Sequence, residues 1–128
     1  MDEHAWIAAA IAVQLKDIRG TRGSLVVNLG DLFYQMASYE GDAVLIETVS
    51  NEFLPPGKRL GPGQEQRMVQ LGFTQPTPDM PNWWIGMEEG LDEEIEQAAG
   101  AVAAALIEVY GIPVDTVDAA LGPAAIHD

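Results

Sequence analysis

"SLVVNLGDLFYQMASYEGDAVLIETVS", residues 24–50, is the stretch that decides the fold. Leu25, Val27 and Leu29 are separated by Val26 and Asn28. That is the two-residue period of a strand with one buried face, and "LFYQMASY" and "AVLIETVS" continue the pattern. Gly30 and Asp31 fit a tight turn with glycine first, and "EGD" at residues 40–42 makes the next reversal. The stretch therefore predicts an antiparallel meander of three strands. Such a sheet leaves two edges open and needs packing partners, which dimerisation or client binding could supply.

On the N-terminal side, Ile7, Ile11, Leu15 and Ile18 fall on one helical face, widened by Trp6 and Val13, so residues 2–19 read as an amphipathic helix. Lys16, Arg19 and Arg22 gather where cations complement the helix dipole, and Gly20 and Gly23 stop the helix. On the C-terminal side, "FLPPGKRLGPG" excludes both a helix interior and a central strand. A short helix over residues 64–71 follows, with Met68 and Leu71 facing inward and Gly72 as its cap. A long helix is predicted over residues 91–110, with Ile95, Ala98, Val102, Leu106 and Val109 in one stripe and many alanines that let another element approach closely. "GIPVDTVDAALGP" adds a turn and a last short helix, with Asp115 as its cap. The first and the long helix are expected on the same face of the meander, covering Leu25, Val27 and Leu29.

The 128 residues suit one domain spanning the whole chain, and 48% hydrophobic with 20% charged residues fits a folded body rather than a disordered one. The chain has no cysteine, so disulfides and thiolate chemistry are excluded, which suits a reducing, cytoplasmic setting. "AWIAAAIAV" is too short to cross a bilayer and follows acidic "MDEH", so neither a signal peptide nor a membrane span is read. Six basic against twenty acidic side chains give a formal charge of −14, which opposes nucleic acid and favours a basic partner or plain solubility.

The catalytic inventory is thin. His4 and His127 stand at opposite ends, and "GPG" at residues 61–63 lacks the spacing and the lysine of a phosphate loop. The acids Glu88, Glu89, Asp92, Glu93, Glu94 and Glu96 lack the alternating ligands and turn glycine of a calcium loop, and the dipole of the following helix accounts for them. No metal site, cofactor or catalytic residue is assigned. "LGFTQPTPDMPNWW" at residues 71–84 is different, because three prolines preset its backbone and hold aromatics in fixed places. Neighbours in an extended segment point to opposite sides, so one of Trp83 and Trp84 is expected in the core and the other nearer the surface. Trp84, Met87, Glu88 and Glu89 are the expected partner-binding residues, suited to an apolar and basic client segment.

The order of the pieces resembles a known family. A leading helix, a meander ending in "ETVSNEFL", a short helix closing on "LGF", a "PNWW" segment and an alanine-rich helix ending in "VYGIP" are similar to the TY-Chap domains of actinobacteria. These belong with the type III secretion chaperones and YbjN-like proteins. The positions that match are Val49, Ser50 and Asn51, then Leu71, Gly72 and Phe73, then Asn82 and Trp83, read mainly as fold markers, and the match at Trp83 implies that this ring is the buried one and Trp84 the one nearer the surface. The resemblance implies an α+β fold, with a small antiparallel sheet of three or slightly more strands between an N-terminal helix and a long C-terminal one. It also implies no catalysis and a role in binding peptide segments of other proteins, with a dimer surface among the means. An acidic immunity or accessory protein that neutralises a basic partner is the alternative.

Overall fold

The structure, a computed structural model, describes residues 3–121. Asp2, His127 and the side chain of His4 lie outside the described residues. The predicted meander is present as β1 (Ser24–Leu29), β2 (Leu32–Ser38) and β3 (Val44–Thr48). Gly30 takes φ +77°, in the left-handed region that the two-residue turn needs at its first position. Leu29 pairs with Leu32 across that turn, and this register fixes the facing of every later residue.

A fourth strand, β4 (Trp83–Met87), extends the sheet in the order β1-β2-β3-β4, antiparallel throughout. The sequence predicts a proline-stiffened extended segment here and not a strand of the sheet. The prolines end at Pro81, and past it the extended chain pairs with β3, Thr48 opposite Trp83 and Val44 opposite Met87. Strand β4 supplies the neighbour that a three-strand meander lacks on one side.

One face of the sheet carries Val27, Leu29, Tyr34, Met36, Ile46, Trp83 and Met87, all buried. Over it lie α1 (Glu3–Ile18) and α3 (Asp92–Ala104), packed along each other. Their seam joins Ile7, Ile11 and Leu15 to Ala98, Ala99 and Val102, the small side chains allowing close approach. Burial of each large aliphatic side chain there stabilises the fold by about 1.5–3 kcal/mol. Tyr34 is buried in the same layer, its hydroxyl donating to Gln14 Oε1 at 2.6 Å, and burial pushes the phenol well above its usual pKa.

Leu25 departs from expectation, being 36% exposed. Strand β1 is the sheet edge, and its cover comes from α4 (Val114–Leu121), whose Val117 and Leu121 are buried with Val27 and Leu29. Helix α4 starts after Pro113, whose carbonyl accepts from the Val117 amide at 3.2 Å. Asp115 therefore sits inside the first turn instead of capping it. The long helix also ends differently from the expected regular helix: residues 105–109 form a wide π turn, with the Tyr110 amide reaching back to the Ala105 carbonyl. The Tyr110 hydroxyl then donates to the Val49 carbonyl at 2.5 Å, locking the helix end to the end of β3.

At the opposite end of the helical layer, Arg19 holds the Gly90 carbonyl and the Asp92 carboxylate, each at 2.8 Å, while Lys16 pairs with Glu96 at 2.8 Å. The hydrogen bond from Arg19, and after it the charge of Lys16, keep the Asp92 carboxyl below its usual range. Gly90 has φ +59°, and a Cβ added there would lie 1.9 Å from the Asp42 carbonyl oxygen, so only glycine fits this crossing. Among the described residues no helix is long and apolar enough to cross a membrane.

Candidate functional site

The strand β4 divides its tryptophans. Trp83 is 2% exposed on the helix-covered side, and Trp84 is half-buried on the other. Register then assembles a row across the open face: Val26 opposite Gln35, Gln35 opposite Glu47, Glu47 opposite Trp84, and Trp84 opposite Thr74. Thr74 and Trp84 exchange backbone hydrogen bonds at 2.8 and 3.3 Å, so the outer side of β4 is partly closed by the chain leaving the second helix.

Beside that row the Trp84 indole lies over Gly86. A Cβ at Gly86 would be 3.2 Å from the ring and 3.8 Å from Leu45 Cδ1, so the glycine makes room for the ring to rest against the sheet. The indole N–H is shielded from solvent and meets no acceptor among the described residues. Next to it, the Glu47 carboxylate accepts from Gln35 Nε2 at 3.0 Å and from Asn82 Nδ2 at 3.5 Å. The open face thus presents an aromatic shelf beside one held carboxylate.

Asn82 connects this face to a groove, since its Oδ1 accepts from the Ser50 amide at 3.2 Å. The groove, of about 840 Å³, runs between α2 (Pro62–Leu71), residues 50–52 and the proline loop at residues 75–81, and Trp83 contributes to its lining. Its walls are held from outside. Asn51 both donates to the Leu60 carbonyl at 2.9 Å and accepts from its amide at 2.7 Å, which fixes the chain entering α2. Gln64 accepts from the Gly61 amide at 2.8 Å and donates to the Val109 carbonyl at 2.8 Å, tying the start of α2 to the π turn. Gly72, at φ +107°, ends α2 as expected. Thr77 and Met80 close the proline loop on itself with amide-to-carbonyl bonds of 2.8 and 3.1 Å. Glu52 and Glu65 stand among the lining residues together with exposed Val69, and none of the lining residues is a cation.

Residues 3–120 match TY-Chap3, described as T3SS (YopN, CesT) and YbjN peptide-binding chaperone 3. The chain belongs to this family. Comparison with curated proteins and with solved structures returns no match. A TY-Chap3 domain is a peptide-binding, chaperone-type module, and the α+β architecture with its antiparallel sheet and flanking helices is the one that the sequence implied.

The TY-Chap3 domain distributes the four residues singled out from sequence over different surroundings. Trp84 lies on the open face. Met87 is 3% exposed and faces the helices, because three positions along a strand reverse the facing. Glu88 and Glu89 are exposed in the turn between β4 and α3. They therefore form no common patch with Met87. The acids that open α3 carry out the helix-terminal work expected of them, Glu94 accepting from the Leu91 amide at 3.0 Å. Among the described residues no group of three or more acidic or histidine side chains could hold a metal ion. Sequence reading missed Glu47, Leu45 and the groove walls. Glu47 was detectable as the one charge inside an apolar strand, but its neighbours depend on pairing with two other strands.

Proposed function

We propose that this TY-Chap3 domain holds an extended segment of a client protein, apolar with basic residues, in the groove between α2 and the proline loop. The observation that carries this is a stiff-walled groove of about 840 Å³ bordered by Glu52 and Glu65 and lined by no cation. Walls already ordered by prolines and by the Asn51 and Gln64 bonds lose little entropy when a segment enters, so more of the contact energy remains as affinity. Exposed Gln66 and Gln75 offer polar groups to an extended backbone, and Val69 offers an apolar contact.

On the open face, a basic side chain of the client would meet Glu47 and an apolar one the Trp84 shelf. A peptide carbonyl could then satisfy the indole N–H after a small shift of the ring. Glu88 and Glu89 contribute through the field of a chain of charge −14, which speeds encounter with a cationic segment. A concave groove suits a segment better than it suits a folded basic protein, and this favours client binding over neutralisation of a basic partner. The chemistry is that of binding, in a cytoplasmic setting.

The test is fluorescence anisotropy with a labelled, extended Lys- and Leu-containing peptide and its Glu-containing counterpart. Glu52→Lys combined with Glu65→Lys should weaken the basic peptide by roughly tenfold or more with unchanged melting. Equal affinity for the two peptides, or no effect of the double substitution, would rule the groove out as the recognition site.

A further inference from the structure

We infer that β1 is a self-pairing edge: two copies of the chain join antiparallel through residues 24–28 and merge their four-stranded sheets into one of eight strands. The inference does not depend on the groove. It begins with the hairpin register. Leu29 pairs with Leu32 at the turn and the Ser38 amide bonds the Gly23 carbonyl at 2.9 Å, so Gly23, Leu25, Val27 and Leu29 direct their backbone groups at β2. Ser24, Val26 and Asn28 consequently aim theirs outward, and among the described residues nothing pairs with them. The side chains at this edge are apolar and open, with Leu25 at 36% and Val26 at 51% exposure. β1 has none of the lysines, prolines or bulges that usually guard an edge, whereas the edge of β4 is partly closed by Thr74.

Charge selects the occupant. Lys16, Arg19, Lys58 and Arg67 are in ion pairs and Arg59 bonds the Leu54 carbonyl, but among the described residues the Arg22 guanidinium has no partner. Arg22 stands just before β1, and Asp31 stands just after it, with its side chain 61% exposed and Oδ2 on Lys58 at 3.1 Å. Antiparallel pairing centred on Val26 sets Ser24 against Asn28 of the second copy, covers Leu25 with Val27, and brings Arg22 of each copy beside Asp31 of the other. The edge is therefore complementary in charge to itself, a match that an arbitrary client strand would not provide. At physiological salt the Debye length is about 8 Å, which screens most of the repulsion between two acidic bodies but not an adjacent ion pair. In such a dimer the open faces become continuous, with one groove toward each outer end.

The test is sedimentation equilibrium at physiological salt up to sub-millimolar concentration. Wild type should reach twice its mass of 13.8 kDa. Arg22→Asp and Asp31→Arg should each weaken the dimer by roughly tenfold or more. An equimolar mixture of the two variants should restore it, because both cross-edge pairs then regain opposite charges. Val26→Pro removes an outward amide that the β1–β2 ladder does not use, so the variant should fold with the wild-type circular dichroism and stay monomeric. A monomeric wild type, a mixture no stronger than either variant alone, or a Val26→Pro dimer would overturn the proposal. So would a monomer whose Val26 and Asn28 amides gain exchange protection only when the Lys- and Leu-containing peptide is added, since that would make β1 a client edge.

Discussion

The two faces of the sheet are built from the same strands and held in the same register, yet they carry different burdens. Toward α1 and α3, every central position is filled and dry: Tyr34, Met36 and Ile46 are buried, and the one hydroxyl among them has Gln14 as a partner. One residue along, Gln35, Ala37, Glu47 and Trp84 are only half-buried, and the Glu47 side chain accepts from the amides of Gln35 and Asn82. The period of a strand makes this division possible, because neighbours in sequence can serve stability and recognition separately. The comparison teaches that the helical face should fail through loss of fold and the open face through loss of binding.

The largest effect expected is from Ile46→Asp. A carboxylate there has no partner, and an uncompensated buried charge costs about 3–5 kcal/mol in addition to the lost apolar burial. Against a total stability of about 5–15 kcal/mol, circular dichroism should find the variant largely unfolded or sharply lowered in melting. A variant that melts like the wild type would mean that this face is wet. The tryptophans give the next contrast: Trp83→Ala should cost about 3–5 kcal/mol as a large core truncation. Trp84→Ala should cost roughly 1–2 kcal/mol, since only part of its ring is covered. Chemical denaturation of the pair settles the order, and equal midpoints would erase the distinction between the faces.

How far these differences could be read from sequence depends on how local their causes are. Alternation at Leu25, Val27 and Leu29, glycine at position 30 and the helical stripe of Ile7, Ile11 and Leu15 act over a few residues, and each produced the element expected of it. β4 was missed as a strand because its pairing with β3 is remote in sequence and three prolines precede it. Leu25 was expected inside, but whether an edge position is covered depends on where α4 comes to rest. The choice of Trp83 as the buried ring rests on the family resemblance, while its divergence from Trp84 follows from alternation. The same rule separates Trp84 from Met87, and the sequence reading, by grouping these two on one binding patch, did not apply it there. The groove needs α2, residues 50–52 and the proline loop together, and no local pattern announces it.

Smaller effects refine the contrast. Glu47→Gln keeps one acceptor oxygen and most of the packing, so stability should stay within about 0.5 kcal/mol. Binding of a basic peptide should weaken and become less sensitive to salt, which titrations at two ionic strengths would detect. An equal loss of stability and binding would instead make Glu47 a structural residue. The smallest effect belongs to the rim of the helical layer. Arg19 lowers the Asp92 pKa in the folded state, so this link stabilises at neutral pH and is lost as the pH falls through the folded value, below the ordinary carboxylate range. Asp92→Asn should therefore change melting slightly at neutral pH and not at all in strong acid, where the wild type has lost the link as well. A larger deficit in acid than at neutrality would reverse the assigned sign.

Trp6, Trp83 and Trp84 give three indole N–H reporters in one heteronuclear NMR spectrum, one on α1, one by the groove and one on the open face. Titration with the Lys- and Leu-containing peptide tests most directly whether the groove and its adjoining face recognise a client. The Trp84 indole and the amides of Asn51, Val69 and Thr77 should shift together along one saturation curve, with Trp6 unmoved. Shifts confined to β1 or to α1, or an equal response to the Glu-containing peptide, would contradict the account.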